Sequence, residues 1–351
     1  MSLKFWMQKE TEESASIIKN QQNDSLDILN EVTNRLQKNS PNFVATLARG
    51  SSDHAASFSK YAIETHLGVM TASIAPSVHT IYKSNINYKN SFVIGISQSG
   101  KSSDLIESMA FARKNGAITL AFVNEKNSPL EQECEYCIPL LANKEQSVAA
   151  TKSFIASLSR IIQLISYWKN DTNLNKQLLN TSNQLLNFNE NEMSLVVENL
   201  LNEKSILVLG RGYSFPIALE SALKLKETCG LHAEAFSGAE ILHGPFELIQ
   251  KNYPILLYLS NDETLESMLK LIETLQNKKA KLFVITTNEI AHKYEKNLSN
   301  TYIIKTANSI NSLCDNILSI YHFYKLAAML SLKLGRNPDL PKNLNKVTDT
   351  I

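Results

Sequence analysis

Acidic and basic side chains in the second half of the sequence have the types and spacing needed for proton transfer. Glu220, Lys224 and Glu227 follow the spacing i, i+4 and i+7, so a helix would place them on one face. The segment starts just after the predicted turn Arg211-Gly212, at the carboxyl end of an apolar strand, and leads towards His243. An exposed Glu–Lys pair is the alternative interpretation, but this grouping at a strand end favours acid–base chemistry.

The serine-rich turn Ser97–Ser102 has the composition of an anion site. It lies between the apolar run Ser91–Ile96 and a helical pattern that continues to Asn115. The free N–H groups and the dipole of a helix that begins here favour an anion, and Gly100 lets the backbone approach it closely. A polar loop without a ligand is the alternative, but the strand–turn–helix setting favours a phosphate.

The same turn formally satisfies the Walker A pattern of nucleotide-binding proteins, from Gly95 to Ser102. We expect no nucleoside triphosphate here, because Gly95 is predicted to lie inside the strand and no later strand ends in a convincing magnesium-binding Asp. Lys101 is then predicted to be a solvated side chain or an additional phosphate contact.

The elements that must position these residues occur twice. Leu47–Ser52 is echoed by Leu209–Ser214, an offset of 162 residues, and each copy alternates strands with helices. This pattern predicts an α/β fold of two similar domains with parallel sheets. In the second copy the turn Ser260–Thr264 is acidic, so only the first copy is predicted to hold phosphate. The predicted organisation is a helical segment 1–38, domains 39–170 and 196–332, a linker 171–195 and a tail 333–351.

Composition excludes several classes of protein. The chain has 351 residues and a net charge of +1, which gives no general attraction to nucleic acid or membranes. No apolar run is long enough to span a membrane, and the first 25 residues do not resemble a secretory signal. We expect a cytoplasmic location. Cys134 and Cys137 form a C-x-x-C without further zinc ligands at suitable spacing, so reduced thiols are expected.

Several strings together resemble the sugar isomerase (SIS) family. They are Ala48–His54, Ile96–Gly100, Ser147–Phe154, Ala222–Glu227, His232–Ala235, His243–Pro245 and Pro341–Thr348. The resemblance covers nearly the whole chain from about residue 40, and it implies two tandem SIS domains, each a flavodoxin-like α/β/α sandwich. It is strongest to the isomerase half of glucosamine-6-phosphate synthase and to SIS-type glucosamine-6-phosphate deaminases.

The resemblance also implies roles for individual residues. Glu227 would move a proton between C1 and C2 of the sugar, with Glu220 and Lys224 in support. His243 would assist ring opening in the neighbouring subunit of a homodimer. Lys346 stands where the synthase forms a Schiff base, although an exposed tail lysine is the alternative. The sugar and its phosphate would be bound by Ser52, Ser97, Gln98, Ser99, Ser102, the Val148 backbone and the segment at Ala150, where the synthase has a serine.

The reaction expected from this resemblance is hydrolytic deamination of glucosamine 6-phosphate without a metal or cofactor. The synthase carries an additional amino-terminal glutaminase domain, whereas the first predicted strand here already begins at Phe43. This spacing predicts that the chain has no glutaminase activity. A fructosamine-6-phosphate deglycase or another phosphosugar isomerase is the alternative enzyme. A non-catalytic phosphosugar sensor is the alternative from another class, and the retained acid–base residues argue against it.

Overall fold

The computed structural model describes residues 5–185 and 189–346, which form two compact units. Each unit is assembled from several stretches of the chain. The first contains residues 16–145, 152–179 and 345–346, and the second contains residues 5–15, 146–151, 180–185 and 189–344. The sequence boundaries 39–170 and 196–332, which make each domain one continuous stretch, stay predictions.

The sheet of the first unit has five parallel strands in the order β2-β1-β3-β4-β5. The strands are β1 (Phe43–Leu47), β2 (Thr71–Ser73), β3 (Ser91–Ser97), β4 (Ile118–Val123) and β5 (Tyr136–Pro139). The helices in this half of the chain are α1 (Trp6–Gln21), α2 (Leu26–Lys38), α3 (Ser51–Leu67), α4 (Ser77–Thr80), α5 (Ser103–Lys114), α6 (Pro129–Glu133), α7 (Lys152–Lys169) and α8 (Thr172–Gln184).

The sheet of the second unit also has five parallel strands, in the order β10-β9-β8-β6-β7. The strands are β6 (Ser205–Gly210), β7 (His232–Ser237), β8 (Pro254–Tyr258), β9 (Lys281–Thr287) and β10 (Thr301–Thr306). The helices are α9 (Glu190–Leu200), α10 (Phe215–Lys224), α11 (Leu265–Asn277), α12 (Asn288–Lys293) and α13 (Ser312–Lys333). A π-helical turn, Leu225–Cys229, continues α10 directly.

The predicted duplication is confirmed in both topology and register. Numbered along the chain within its own unit, each sheet has the strand order 2-1-3-4-5. Leu47 is paired with Gly95 in the first sheet, and Leu209 is paired with Leu257 in the second, at the same offset of 162 residues. The ten strands therefore belong to two copies of one parallel α/β fold.

Each unit contains one helix that is buried on nearly all sides. In the first unit α7 packs against α2 and α3, and in the second α13 packs against α9 and α10. A helix that is apolar around most of its circumference is expected to be buried in this way. Within the described ranges, no helix combines the length and apolar character needed to cross a membrane.

Candidate active site

The serine-rich turn lies where the sequence predicts it, between β3 and α5. The Oγ of Ser97 accepts a hydrogen bond from the N–H of Gly100 (2.9 Å), and the Oγ of Ser99 accepts one from the N–H of Lys101 (3.3 Å). Ser102 occupies the N-cap position of the 12-residue helix α5 but makes no capping hydrogen bond with its side chain. The first N–H groups of α5 therefore point into a serine-lined turn that suits an anion.

Gly100 is required by the shape of this turn. Its φ is +62°, a left-handed conformation that side chains with a Cβ rarely adopt. A Cβ at this position would also lie 2.4 Å from the Oγ of Ser128 and 2.8 Å from a methyl carbon of Val123. Gly95, the first glycine of the Walker A pattern, lies within β3 as predicted and does not open the loop.

A second turn lies beside the first at the same edge of the sheet. Because β1 and β3 are paired up to Leu47 and Gly95, the turns that follow them are neighbours, which places Ser52 near the Ser97–Ser102 turn. Arg49 links the two turns through hydrogen bonds from Nε and Nη2 to Asp104 Oδ2 (3.0 and 2.6 Å). The sequence interpretation gave Arg49 no role, although it lies in one of the family-like strings.

In the corresponding turn of the second unit, the carboxylate of Asp262 accepts hydrogen bonds from another residue of the same turn. Asp262 Oδ1 accepts hydrogen bonds from the N–H and the hydroxyl of Thr264 (2.8 and 2.5 Å). A carboxylate in this position repels a phosphate, and phosphate binding by the first copy alone stays a prediction.

The acidic and basic residues of α10 form one cluster. Lys224 Nζ lies 3.5 Å from Glu220 Oε1 and also contacts Glu227 Oε2. The side chains of Glu220 and Lys224 are 0% and 1% exposed, so the exposed-pair alternative is wrong. Glu220 Oε1 also accepts a hydrogen bond from the hydroxyl of Tyr324 on α13 (3.0 Å). No local pattern could have predicted this partner, because it is 104 residues away in the sequence.

The π-helical turn presents Glu227 differently from its neighbours. Glu227 lies in this turn, whereas Glu220 and Lys224 lie in regular α10, and its side chain is 20% exposed. Inserted π-helical turns are frequent at functional sites because they displace a side chain from the regular helical face. Glu227 is thus the member of the cluster that can reach a ligand, while the buried Lys224 balances its charge.

A cavity of about 990 Å³ opens beside Glu227 within the second unit. Lys226, Glu227 and Thr228 line it from the π-helical turn, with Leu223 before the turn and Gly230 directly after it, and residues between Leu334 and Leu344 line the other side. The volume is typical of small-molecule sites. Three of its lining residues are cationic and form no ion pair within residues 5–185 and 189–346: Lys226, Arg336 and Lys342.

Lys346 is not a free tail lysine, and this corrects the alternative interpretation. Its Nζ lies 2.9 Å from Glu145 Oε2 in the first unit, and the Glu145 side chain is fully buried. Glu145 also accepts a hydrogen bond from the Ser153 hydroxyl (2.9 Å). The sequence interpretation missed Glu145, which lies two residues before the family-like string Ser147–Phe154.

Three other predicted residues lie in different surroundings. His243 is exposed between two short 3₁₀ turns, and the half-exposed side chains of Leu242 and Leu248 lie near it in the chain. His243 is absent from the lining of the Glu227 cavity.

Val148 and Ala150 lie in the segment 146–151 of the second unit, where the N–H of Val148 donates to the carbonyl oxygen of Asp339 (3.0 Å).

The thiols of the C-x-x-C are free. Cys134 is buried, Cys137 is partly buried, and burial raises the pKa of each thiol to about 12. No group of three or more potential metal ligands occurs within the described parts of the chain.

Comparison with known proteins gives a consistent set of relatives. The sequence profile described as "SIS domain" matches residues 10–167 and 199–330. A glutamine–fructose-6-phosphate aminotransferase of Aquifex aeolicus is 33% identical over 307 residues, which cover 86% of this chain and 51% of the relative. The chain therefore spans about half the length of that aminotransferase.

Two solved structures match the described fold over most of its length. A "putative phosphosugar isomerase" from Silicibacter pomeroyi is 30% identical, with a TM-score of 0.87 over 96% of this chain and 100% of that one. The C-terminal domain of glucosamine-fructose-6-phosphate aminotransferase from Francisella tularensis is 25% identical, with a TM-score of 0.85 over 96% of this chain and 98% of that one.

Proposed function

Because the chain belongs to the SIS domain family, we propose that it is a phosphosugar isomerase that deaminates glucosamine 6-phosphate to fructose 6-phosphate and ammonia. One observation carries the proposal: Glu227 is paired with a buried lysine and borders a cavity of the size of a small-molecule site. A half-buried carboxylate at such a place suits a base that moves a proton between neighbouring carbons. The names of the aminotransferase and isomerase relatives support the same class of substrate.

In the proposed reaction Glu227 takes the proton from C2 of the open-chain amino sugar and returns it to C1. The C2 amine becomes an imine in this step, water hydrolyses the imine, and ammonia leaves while a ketone remains at C2. Lys224 lies between Glu220 and Glu227 and holds the base in place. Each step uses only protons, water and the substrate, so the chemistry requires no metal or organic cofactor.

The phosphate of the substrate is proposed to bind in the first unit. Its ligands would be Ser52, Gln98 and the hydroxyls of Ser97, Ser99 and Ser102, together with the first N–H groups of α5. Arg49 lies on the adjacent turn, and its ion pair with Asp104 joins that turn to α5. These groups bind the ground state and the transition state alike, so they would set affinity more than rate.

Two residues outside these clusters are also given roles in the proposed reaction. Lys346, held by Glu145, would lie near the sugar carbonyl, where a lysine is chemically suited to Schiff-base formation. His243 would assist ring opening from the neighbouring subunit of a homodimer. Its exposed position beside the half-exposed Leu242 and Leu248 supports this proposal.

The test is ammonia release from the purified chain with glucosamine 6-phosphate, followed with fructose 6-phosphate formation. Loss of a general base lowers kcat by about 10²–10⁴-fold, so we expect this fall for Glu227→Gln. Glu266→Gln, which removes an exposed carboxylate from α11, is the matched control and should retain full activity. Tight binding of glucosamine 6-phosphate without turnover would reject deamination, and a lack of turnover of fructosamine 6-phosphates as well would favour a phosphosugar sensor.

A second candidate, a fructosamine-6-phosphate deglycase, is favoured by the cations of the Glu227 cavity. Ammonia is small and needs no positive groups around it, whereas Lys226, Arg336 and Lys342 could pair with a carboxylate carried by a larger amine. Release of a free amino acid from a fructosamine 6-phosphate, with no ammonia from glucosamine 6-phosphate, would favour this candidate over deamination.

A further inference from the structure

A carboxylate on the first helix holds the segment that contains Val148 and Ala150. Glu10 lies on α1 and is 1% exposed. Its two carboxylate oxygens accept hydrogen bonds from the successive backbone N–H groups of Gln146 and Ser147, the latter at 3.2 Å. Hydrogen bonds to a charged acceptor are roughly twice as strong as neutral ones, and here they hold a segment without helix or strand structure.

Asp339 provides a second connection between the start of α1 and the segment that contains Val148. Its carboxylate accepts hydrogen bonds from the N–H groups of Trp6 and Met7 (2.7 and 2.8 Å), which are unpaired donors of the first turn of α1. Its carbonyl oxygen accepts the N–H of Val148 (3.0 Å). The amino-terminal part of α1, the segment 146–148 and Asp339 thus form a closed ring of hydrogen bonds within the second unit.

The ring is continuous with the cavity beside Glu227. Leu340 follows Asp339 directly and, with Lys342 and Leu344, lines this cavity. The N–H groups of residues 146, 147 and 148 are all used inside the ring, so a ligand could contact these residues only through carbonyl oxygens or side chains.

We propose that Glu10 is a positioning residue, which fixes the backbone of residues 146–148 so that the Val148 carbonyl and Ala150 meet the sugar. The contact with the sugar rests on the proposed function, whereas the tethering of the segment by Glu10 does not. Glu10 itself acts through two peptide groups and touches no reacting atom.

The first test is amide hydrogen exchange of Glu10→Gln, which keeps the shape of the side chain but turns one acceptor into a donor. The amides of Gln146 and Ser147 should exchange at least about tenfold faster, because a charge-assisted hydrogen bond is lost. Glu13→Gln removes an exposed carboxylate from the same helix and should leave these amides unchanged. Unchanged exchange in Glu10→Gln would overturn the proposal.

The second test separates positioning from a general loss of stability. We expect the KM of Glu10→Gln for glucosamine 6-phosphate to rise about tenfold with kcat within twofold, since uniform binding is lost. Glu10→Asp, which keeps the charge, should recover part of this affinity. A fall in kcat at constant KM would contradict positioning. If the wild type does not turn over glucosamine 6-phosphate, the proposed function fails, but the exchange result still decides the role of Glu10.

Discussion

In the cluster around Lys224, one ammonium group contacts two carboxylates, those of Glu220 and Glu227. A buried carboxylate is tolerated only when it is paired and hydrogen-bonded, and Glu220 has both Lys224 and the Tyr324 hydroxyl. The ammonium of Lys224 therefore has a structural role in addition to its place beside Glu227, the proposed base. This double role predicts that stability and activity depend on the same side chain.

Replacement of Lys224 by Met should destabilise the protein by about 3–5 kcal/mol, because the buried Glu220 loses its counter-charge. Urea unfolding at neutral pH measures the loss. Lys270→Met removes an exposed lysine from α11 and should change stability by less than about 0.5 kcal/mol. The double variant Glu220→Gln/Lys224→Met should recover part of the loss. Equal stability of the two lysine variants would contradict a buried charge network.

The local part of this cluster could be predicted from the sequence, and its partners could not. Helical spacing places Glu220, Lys224 and Glu227 on one face whatever the rest of the fold does. The contacts of Tyr324 and Glu145 depend on which elements pack together across 104 and 201 residues of sequence. Periodicity carries no information on contacts of that range.

The turn between β3 and α5 is an element whose geometry depends on one glycine. Gly100→Ala should destabilise the protein and weaken binding of glucosamine 6-phosphate at least about tenfold, because the new methyl group meets Ser128 and distorts the turn. Gly68→Ala is a matched control with nearly the same φ (+67°) and no atom within 4 Å of the added Cβ. The control should lose only about 1–2 kcal/mol of stability and no affinity. Identical losses in both variants, measured by urea unfolding and calorimetric binding, would show that sterics at Gly100 are unimportant.

Strands and helices with a strong pattern were predicted, and the elements with weak patterns were not. The apolar runs at Phe43, Ser91 and Ile118 all begin strands. The three-residue strand β2 and the edge strand β7 carry no comparable apolar run, because edge positions are partly exposed. The π-helical turn was also missed, since the sequence Leu225–Cys229 continues an ordinary helical pattern.

At the scale of the whole molecule, the four cysteines make stability sensitive to alkaline pH. Burial raises the pKa of Cys134, Cys137 and Cys314 from 9.0 to about 12, and that of Cys229 to about 11. Between pH 8 and 10 the unfolded chain therefore loses protons that the folded chain keeps. The free energy of unfolding should fall as pH rises, approaching about 1.4 kcal/mol per pH unit for each thiol.

Urea unfolding at pH 8, 9 and 10 measures this slope. The variant Cys134→Ser/Cys137→Ser removes two of the four groups and should show a distinctly shallower decrease, whatever its stability at pH 8. The same slope in both proteins would mean that other groups titrate in this range.

The pairing of Glu145 with Lys346 has a consequence for how the protein is made. The carboxylate is synthesised 201 residues before its lysine, yet both belong to the first unit. During synthesis on a ribosome, this pair can therefore form only after the described part of the second unit has been translated. An active site that uses Lys346 at the sugar carbonyl would therefore be completed only after the chain of both units has been translated.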